Sequence, residues 1–464
     1  MCRNEAEEEE GLPAVAWNHG CDKQHHVDGH RGKPMSYILQ GQLDTYDRFA
    51  EAHGDNERLV MVMGALPDEG LLRWLKQQRH GRRDEYAQAV LWRCLVAKSV
   101  YQLRTYAELI RELERNGSLR RVVGVSHRER VPRAYHFSRF LRRLSSEDGL
   151  GHLEGMFEEL VRRLGAQLPA MGRHLAVDAT AVHAYSNEDR RTKSDPDAAW
   201  SARPKRQWRG RIGQRIERCM EYWFGYLVHL VVDCETELPV SYEVTAANVN
   251  ETTRFVGQLD AVASAQPQIA ARTEAVIADA GYDSGANCAR VLKMDSGAVP
   301  IIKMRLTQKR DAICQAATCC CNELGTLICD SGHKMVYWGR DGEYLKWRCP
   351  VACGRAEACT AFGRCSASPY GTVVKINIHD DPRRFPGLAR ESKKWKRLYR
   401  KRTAIERVNG RLKDLLLLDE LTVRGMAKVR MHVGMSLLVL LAGSSAMVES
   451  GRVAQARRIV TLAA

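Results

Sequence analysis

HLAVDA at residues 174–179 and AVIAD at residues 275–279 are short apolar runs that both end at an acid, and they set the fold. Three runs of similar texture accompany them: YLVHLVVD (226–233), LPVSYEV (238–244) and AVPIIKM (298–304). Their brevity and their content of β-branched and aromatic residues mark strands. A helical pattern, Glu251–Ala263, separates the third run from the fourth, and another, Gly285–Lys293, separates the fourth from the fifth. The order is strand, strand, strand, helix, strand, helix, strand. A meander followed by strand–helix alternation predicts an α/β fold, a mixed sheet with helices packed on it, over residues 173–304.

Asp178 closes the first run and Asp279 the fourth. A carboxylate at the end of a buried strand is poorly solvated, so its charge needs an offset. Capping the next turn supplies one, and a divalent cation shared by two such groups supplies another. Two similar ends in one sheet favour the shared cation. Asp283, just beyond Asp279, is the rival for the second position.

Farther along, residues 398–415 read LYRKRTAIERVNGRLKDL. Tyr399, Arg402, Glu406 and Lys413 stand at offsets 0, 3, 7 and 14. At about 100° per residue they share a stripe roughly 60° wide on one helix. Leu398, Ile405, Leu412 and Leu416 form an adjoining apolar stripe suited to rest on the sheet. One acid thus sits among cations and a phenol, a face able to join a metal site and grip phosphate oxygens. Arg402 and Glu406 also have the spacing of an ordinary i, i+4 ion pair.

Outward from these motifs, residues 1–33 are polar and aperiodic and read as a disordered tail. Residues 34–165 read as a basic all-helical domain suited to docking on DNA, with Leu71, Leu72 and Leu75, Leu91, Leu95 and Val96, and Phe137, Phe140, Leu141 and Leu144 at helical spacing. Residues 305–390 read as a Cys-rich insertion with strand-like pieces, and residues 391–450 return to helices. In the insertion, Cys349, Cys353, Cys359 and Cys365 have loose zinc-ligand spacing, with Cys329 and His333 as alternatives; free thiols are the other reading.

The net charge of +15 favours a polyanionic partner, since each phosphate neutralised releases counterions. Arg203–Arg211 (RPKRQWRGR) reads as a basic loop with an aromatic inside, so Arg206, Trp208 and Arg209 are candidates for backbone and base contacts. The acidic, polar N-terminus, MCRNEAEEEEG, lacks the form of a secretory leader, and the expected location is the cytoplasm. Fifteen cysteines then point to reduced thiols or metal ligands. The most apolar stretch, Val433–Leu441, is about half of a membrane-spanning length and reads as a buried helix, with no membrane partner.

The spacing Tyr399-x2-Arg402-x3-Glu406-x6-Lys413 resembles the signature of DDE transposases of bacterial insertion sequences. The segments AVDAT and AVIADAGYDS resemble the stretches bearing that family's first and second catalytic aspartates, here Asp178 and Asp279, and the likeness spans roughly Ala176 to Gly443. The resemblance implies an RNase H-like core in which Asp178, Asp279 and Glu406 hold two Mg²⁺ or Mn²⁺ ions. One ion would activate a water or a DNA 3′-hydroxyl, and the other would stabilise the leaving oxygen. It further implies that Arg402 and Lys413 position the phosphate and that Tyr399 contacts the backbone. The implied partners are double-stranded DNA, both element ends and target, and a second copy of the chain, acting at the nucleoid. In some relatives an aromatic of the insertion contacts a flipped base, here Trp338 or Trp347. Two other readings stay open: a non-catalytic DNA-binding descendant of a transposase, and an RNase H-like nuclease that cuts without joining.

Overall fold

The computed structural model describes residues 54–78, 86–126, 130–186, 194–208, 216–305 and 320–457, without side chains for 204–218. The expected tail, the helical segment up to residue 53, Arg209, Cys314 and Cys319 lie outside the described residues, as do the side chains of Arg206 and Trp208. All of the description falls within one compact unit, Phe49–Ala464.

Seven helices are described before the sheet: α1 (Asp55–Ala65), α2 (Glu69–Gln77), α3 (Gln88–Val100), α4 (Tyr106–Arg115), α5 (Gly117–Val123), α6 (Ala134–Leu144) and α7 (Glu147–Gln167). Thr105, Asn116 and Ser146 start three of them, each side chain accepting a backbone N–H from the first turn. Leu71, Leu75, Leu91, Leu95, Val96, Phe137, Phe140, Leu141 and Leu144 are buried, as their spacing predicts, and Leu72 is half-buried.

The central strand, β1 (His174–His183), runs antiparallel to β3 (Ile216–Asp233), with Asp178 opposite Leu230. On its other side β1 runs parallel to β5 (Ala275–Ala278), with Val177 opposite Ala278. β6 (Val299–Ile302) extends the sheet parallel to β5, and β4 (Pro239–Ala246) pairs antiparallel with β3. The order β4-β3-β1-β5-β6, an antiparallel meander joined to parallel strands, is that of an RNase H-like core. β5 is buried at every position because α8 (Glu251–Ala265) and the other helices cover the sheet, so its sequence is continuously apolar.

Arg203–Trp208 is not loop: β2 (Ala199–Trp208) pairs antiparallel with the first half of β3, from Ala199 opposite Gly225 to Trp208 opposite Ile216. Gly225, where β3 meets both β1 and β2, has no room for a side chain, since a Cβ there would overlap the Val182 carbonyl.

Two short helices, α9 (Pro267–Arg272) and α10 (Gly285–Leu292), flank β5 in sequence. The insertion holds a short pair, β7 (Cys320–Cys321) with β8 (Leu327–Ile328), and an antiparallel sheet of β9 (Val336–Asp341), β10 (Tyr344–Arg348) and β11 (Val373–Asn377). It has its own small core around Leu327, Leu345, Trp347, Ile376 and Phe385.

After the insertion come α11 (Lys393–Tyr399), a 3₁₀ turn over Arg400–Arg402, α12 (Thr403–Leu416) and α13 (Met426–Glu449). α13 is apolar all round, the mark of a core helix. At 24 residues it is longer than its apolar centre predicts and long enough to cross a membrane. Within the fold, 89% of its most apolar 18-residue window is buried, against α1, α7 and β4. A single apolar core therefore joins the helical segment to the sheet, from Leu59 to Ala446.

Candidate active site

Strand direction brings the two aspartates together. β1 and β5 are parallel neighbours, so Asp178 and Asp279 both come one position past the Val177–Ala278 pair. Asp279 follows the end of β5, whereas Asp178, expected to end its strand, lies inside β1, which pairs with β3 on to His183. Parallel neighbours lie about 4.8 Å apart, which makes like-charge contact unavoidable. The Asp178 carboxyl is pushed up to about 7, first by burial and then by the Asp279 charge, with the Ala179 amide and Arg402 opposing. Asp279 also caps the following turn, accepting from Gly281 N at 2.6 Å. The capping and shared-site readings of this residue therefore coexist.

Asp283 is committed elsewhere. Its fully buried side chain accepts from Arg383 Nη2 at 2.9 Å and from the Arg305 amide at 2.8 Å, tying both ends of the insertion to the core.

Leu398, Ile405, Leu412 and Leu416 are buried, as the apolar stripe predicts, and α12 rests on β1 and β3. The expected single helix is instead interrupted: the 3₁₀ turn at Arg400–Arg402 separates Tyr399 from Glu406. Hydrogen bonds fix the helix along β1. Lys401 Nζ bonds His174 Nδ1 at 3.2 Å near the strand start, and Lys413 Nζ donates to the Ala181 carbonyl at 2.7 Å beyond Asp178. Twelve helical positions rise about 18 Å and seven strand positions about 23 Å, so Glu406 falls near the level of Val177–Asp178. On another face, Arg407 and Arg411 pair with Glu237 in the β3–β4 turn and are not free for a ligand.

Glu406 is half exposed and bonded to Arg402 Nη2 at 2.5 Å. Arg402 lies close enough to Asp178 and Tyr399 for its charge to act on both. Tyr399 stacks on Trp395, ring centroids 5.0 Å apart and 9° from parallel, and burial raises its phenol so that it stays protonated. The ion pair expected as an alternative at Arg402 and Glu406 thus forms, beside the aspartates.

Sequence reading overlooked Glu251. It starts α8, and its raised carboxyl reflects burial first and the Asp279 charge second. The Tyr282 hydroxyl is fully buried without a hydrogen-bond partner, and the charges of Asp178, Glu251 and Asp279 all reach it.

Among the described residues no group of three or more His, Cys, Asp or Glu side chains closes around a metal position. At the aspartate site, Glu406 is the member held back, by Arg402. The donor set is nonetheless all oxygen, with two like charges forced together and an orphan hydroxyl beside them, which fits a hard divalent cation. The zinc expectation fares differently. Cys349 packs inside the insertion, Cys365 faces solvent and Cys359 bonds Ser331, so the four thiols do not meet. Trp347 is buried and closed to a base, whereas Trp338 is exposed, with the Arg348 guanidinium 4.2 Å from its ring centre.

With this geometry in view, family comparison is decisive. The family described as "Transposase DDE domain" matches residues 169–442, more than half of the chain. A second family, "Transposase domain (DUF772)", matches residues 50–143, the helical segment. The chain belongs to the DDE transposases. No curated protein matches it. Among solved structures it is similar to a piggyBac transposase in a synaptic complex with hairpin DNA. That likeness is 10% identity over 88% of this chain and 79% of the other, with a TM-score of 0.37, too low for any chemistry to follow from it.

Proposed function

We propose that this transposase cleaves phosphodiester bonds at the ends of a mobile element and joins the 3′ ends to target DNA, with Asp178, Asp279 and Glu406 as its catalytic acids. The observation that carries the reading is that Asp178 and Asp279 both follow the Val177–Ala278 pair on adjacent parallel strands, with Glu406 held near their level by the Lys401 and Lys413 anchors. These three residues would hold divalent cations of the Mg²⁺ or Mn²⁺ kind. Such a cation, when bound, supplies Lewis acidity to the attacking oxygen and to the leaving oxygen.

The chain's own groups do the rest. Asp178 would serve as a ligand after losing its proton to solvent. Glu406 would leave Arg402 to complete the set, which would free the guanidinium's planar donors for a phosphate oxygen. Tyr399, kept protonated, donates to the DNA backbone from its stack on Trp395. Lys413 holds α12 in register on β1, and its charge adds to the pull on the backbone. Asp283 is assigned a structural role because Arg383 and Arg305 already use it.

A surface for DNA lies nearby. A cleft of about 320 Å³ between α6 and the segment before α13 is lined by Ser138, Arg142, Tyr185, Arg424 and Lys428, with no acidic side chain in its wall. Arg424 lies over the Tyr185 ring, centroid 4.9 Å away. Tyr185 follows Asp178 by seven positions, so the cleft is on the order of 20 Å along the strand from the acids, within reach of a duplex spanning both. Pairing two element ends calls for two copies of the chain, and the reading places the reaction on nucleoid DNA in the cytoplasm.

The test uses purified chain and DNA carrying the element's own ends. Glu406→Gln should keep DNA binding and abolish Mg²⁺-dependent cleavage and 3′-end joining. If the parent protein binds these ends but never cuts them, a DNA-binding role replaces the enzymatic one. If it cuts without joining, it is a nuclease.

A further inference from the structure

The helix that follows β4 brings one more acid beside Asp279. β3 runs antiparallel to both β1 and β4, so β1, β4 and β5 share one direction; β5 ends just before Asp279, while β1 and β4 run on past the level of Asp178 to His183 and Ala246. The chain leaving β4 reaches Glu251 within a short turn. Hydrogen bonds then lock the start of α8 to the loop after Asp279. Asn250 accepts from Thr252 N at 3.0 Å, and Thr252 Oγ1 donates to the Gly281 carbonyl at 2.6 Å. Asn287 Nδ2 donates to the Thr252 carbonyl at 3.3 Å and to the Tyr282 carbonyl at 2.9 Å, binding α8, α10 and the Asp279 loop together.

This scaffold holds Glu251 where its charge acts on Asp178 and Tyr282, and where the charge of Asp279 acts on it. Among the described residues its carboxylate makes no hydrogen bond or ion pair; Arg203, occupied by Glu221 at 2.7 Å, is the one cation whose field opposes. The independent sign of a ligand is the Tyr282 hydroxyl, fully buried, unpartnered and set within reach of all three carboxylates. A buried hydroxyl without a partner is costly, and so are three acids sharing one apolar edge. A hydrated cation offsets both, ligated by carboxylates and offering its water to the phenol.

We propose that Glu251 is a fourth acidic residue of the site, holding a divalent cation together with Asp178 and Asp279, with the Tyr282 hydroxyl bonded to that cation's water shell. This rests on the reading of Asp178 and Asp279 as metal-holding acids given above. A purely structural role is the competing account, because an acid in the first turn of a helix also stabilises the helix.

The experiment is Mn²⁺ binding to the full chain without DNA, followed by calorimetry and paired with thermal melts of the metal-free protein. Glu251→Gln should weaken Mn²⁺ binding about tenfold or more, the scale of losing a supporting metal contact. Its metal-free melt should be no lower than that of the parent, because the substitution removes a like charge. Mn²⁺ affinity within about twofold of the parent, or a metal-free melt lowered as loss of a helix-end charge predicts, overturns the proposal. Should the Gln variant fail to fold, Glu251→Asp, which keeps the charge and shortens its reach, should bind Mn²⁺ more weakly than the parent, and equal affinity overturns it. Asp178→Asn separates the two levels. If that variant and the parent bind Mn²⁺ alike, the metal-site reading itself fails; if only Asp178→Asn loses binding while Glu251→Gln keeps it, that reading stands and the role of Glu251 falls.

Discussion

Replacing Asp178 by Asn should stabilise the metal-free protein, although it removes a central residue of the site. The Asp178 carboxyl is pushed from an ordinary 3.8 to about 7 by burial and by Asp279. A raised acid means that the folded state keeps a proton the unfolded chain has released. Between about pH 4 and about pH 7 the folded state therefore binds more protons, and stability falls as pH rises through that window. At about 1.4 kcal/mol per unit, a shift of some three units sets a ceiling near 4 kcal/mol. Asp178 keeps a partly open face, so solvent screening reduces this, and about 2 kcal/mol is the working figure. Asn cannot ionise and escapes the penalty. Denaturant unfolding in the presence of a chelator should place the variant's midpoint above the parent's at about pH 8 and beside it at about pH 3. Added Mn²⁺ should reverse the order, since only the parent gains binding free energy in the folded state. A variant less stable than the parent at about pH 8 without metal would refute the account, as would a difference between variant and parent that does not grow between about pH 4 and about pH 7.

Asp283→Asn should cost about 2–3 kcal/mol by breaking the pair with Arg383, yet leave Mn²⁺ affinity unchanged, whereas Asp279→Asn should do the opposite; unfolding and calorimetry on both variants read the difference. Lys413→Met removes the bond to the Ala181 carbonyl and should cost about 1 kcal/mol in stability as well as slowing strand cleavage, measured side by side on one preparation. The double variant Arg142→Ala and Lys428→Ala should weaken DNA binding equally for all sequences and lower the slope of log affinity against log salt by about 2. An unchanged slope in filter binding would exclude the cleft from the DNA path.

The five apolar strands and the helices between them were legible because each is buried and carries one dominant periodicity. β2 and the first half of β3 were not. Their sequence, RPKRQW and IERCMEYW, has no apolar run, and two strands that mainly pair with each other leave no such pattern. The Tyr399–Lys413 stripe was legible from spacing, but nothing in the sequence marks the 3₁₀ turn inside it. Cysteine spacing suggested zinc because spacing ignores direction, and packing sends Cys349 inward and Cys365 outward. Glu251 was overlooked because an acid after an Asn cap is also an ordinary helix start. The available signal was its place: an acid in the first turn of the helix that leads from β4 to β5.

The shared site explains why Arg402 and Glu406 are paired while Asp178 and Asp279 are not. Four acids, Asp178, Asp279, Glu251 and Glu406, meet two guanidinium groups among the described residues: Arg402, which acts on Asp178 and pairs with Glu406, and Arg203, already bonded to Glu221, which acts on Glu251. Arg402 satisfies the most exposed of them by hydrogen bond and offsets Asp178 only through its field, which leaves the buried pair to relieve its repulsion by keeping a proton on Asp178. On the reading proposed above, a bound divalent cation would remove the reason for both arrangements: Asp178 would be held ionised, Glu406 would have a stronger partner than Arg402, and the guanidinium would be free for a phosphate. Because one charge change would drive all three, that reading predicts that the cation and the DNA backbone reinforce each other's binding, and it accommodates a Glu406 that is half exposed without metal.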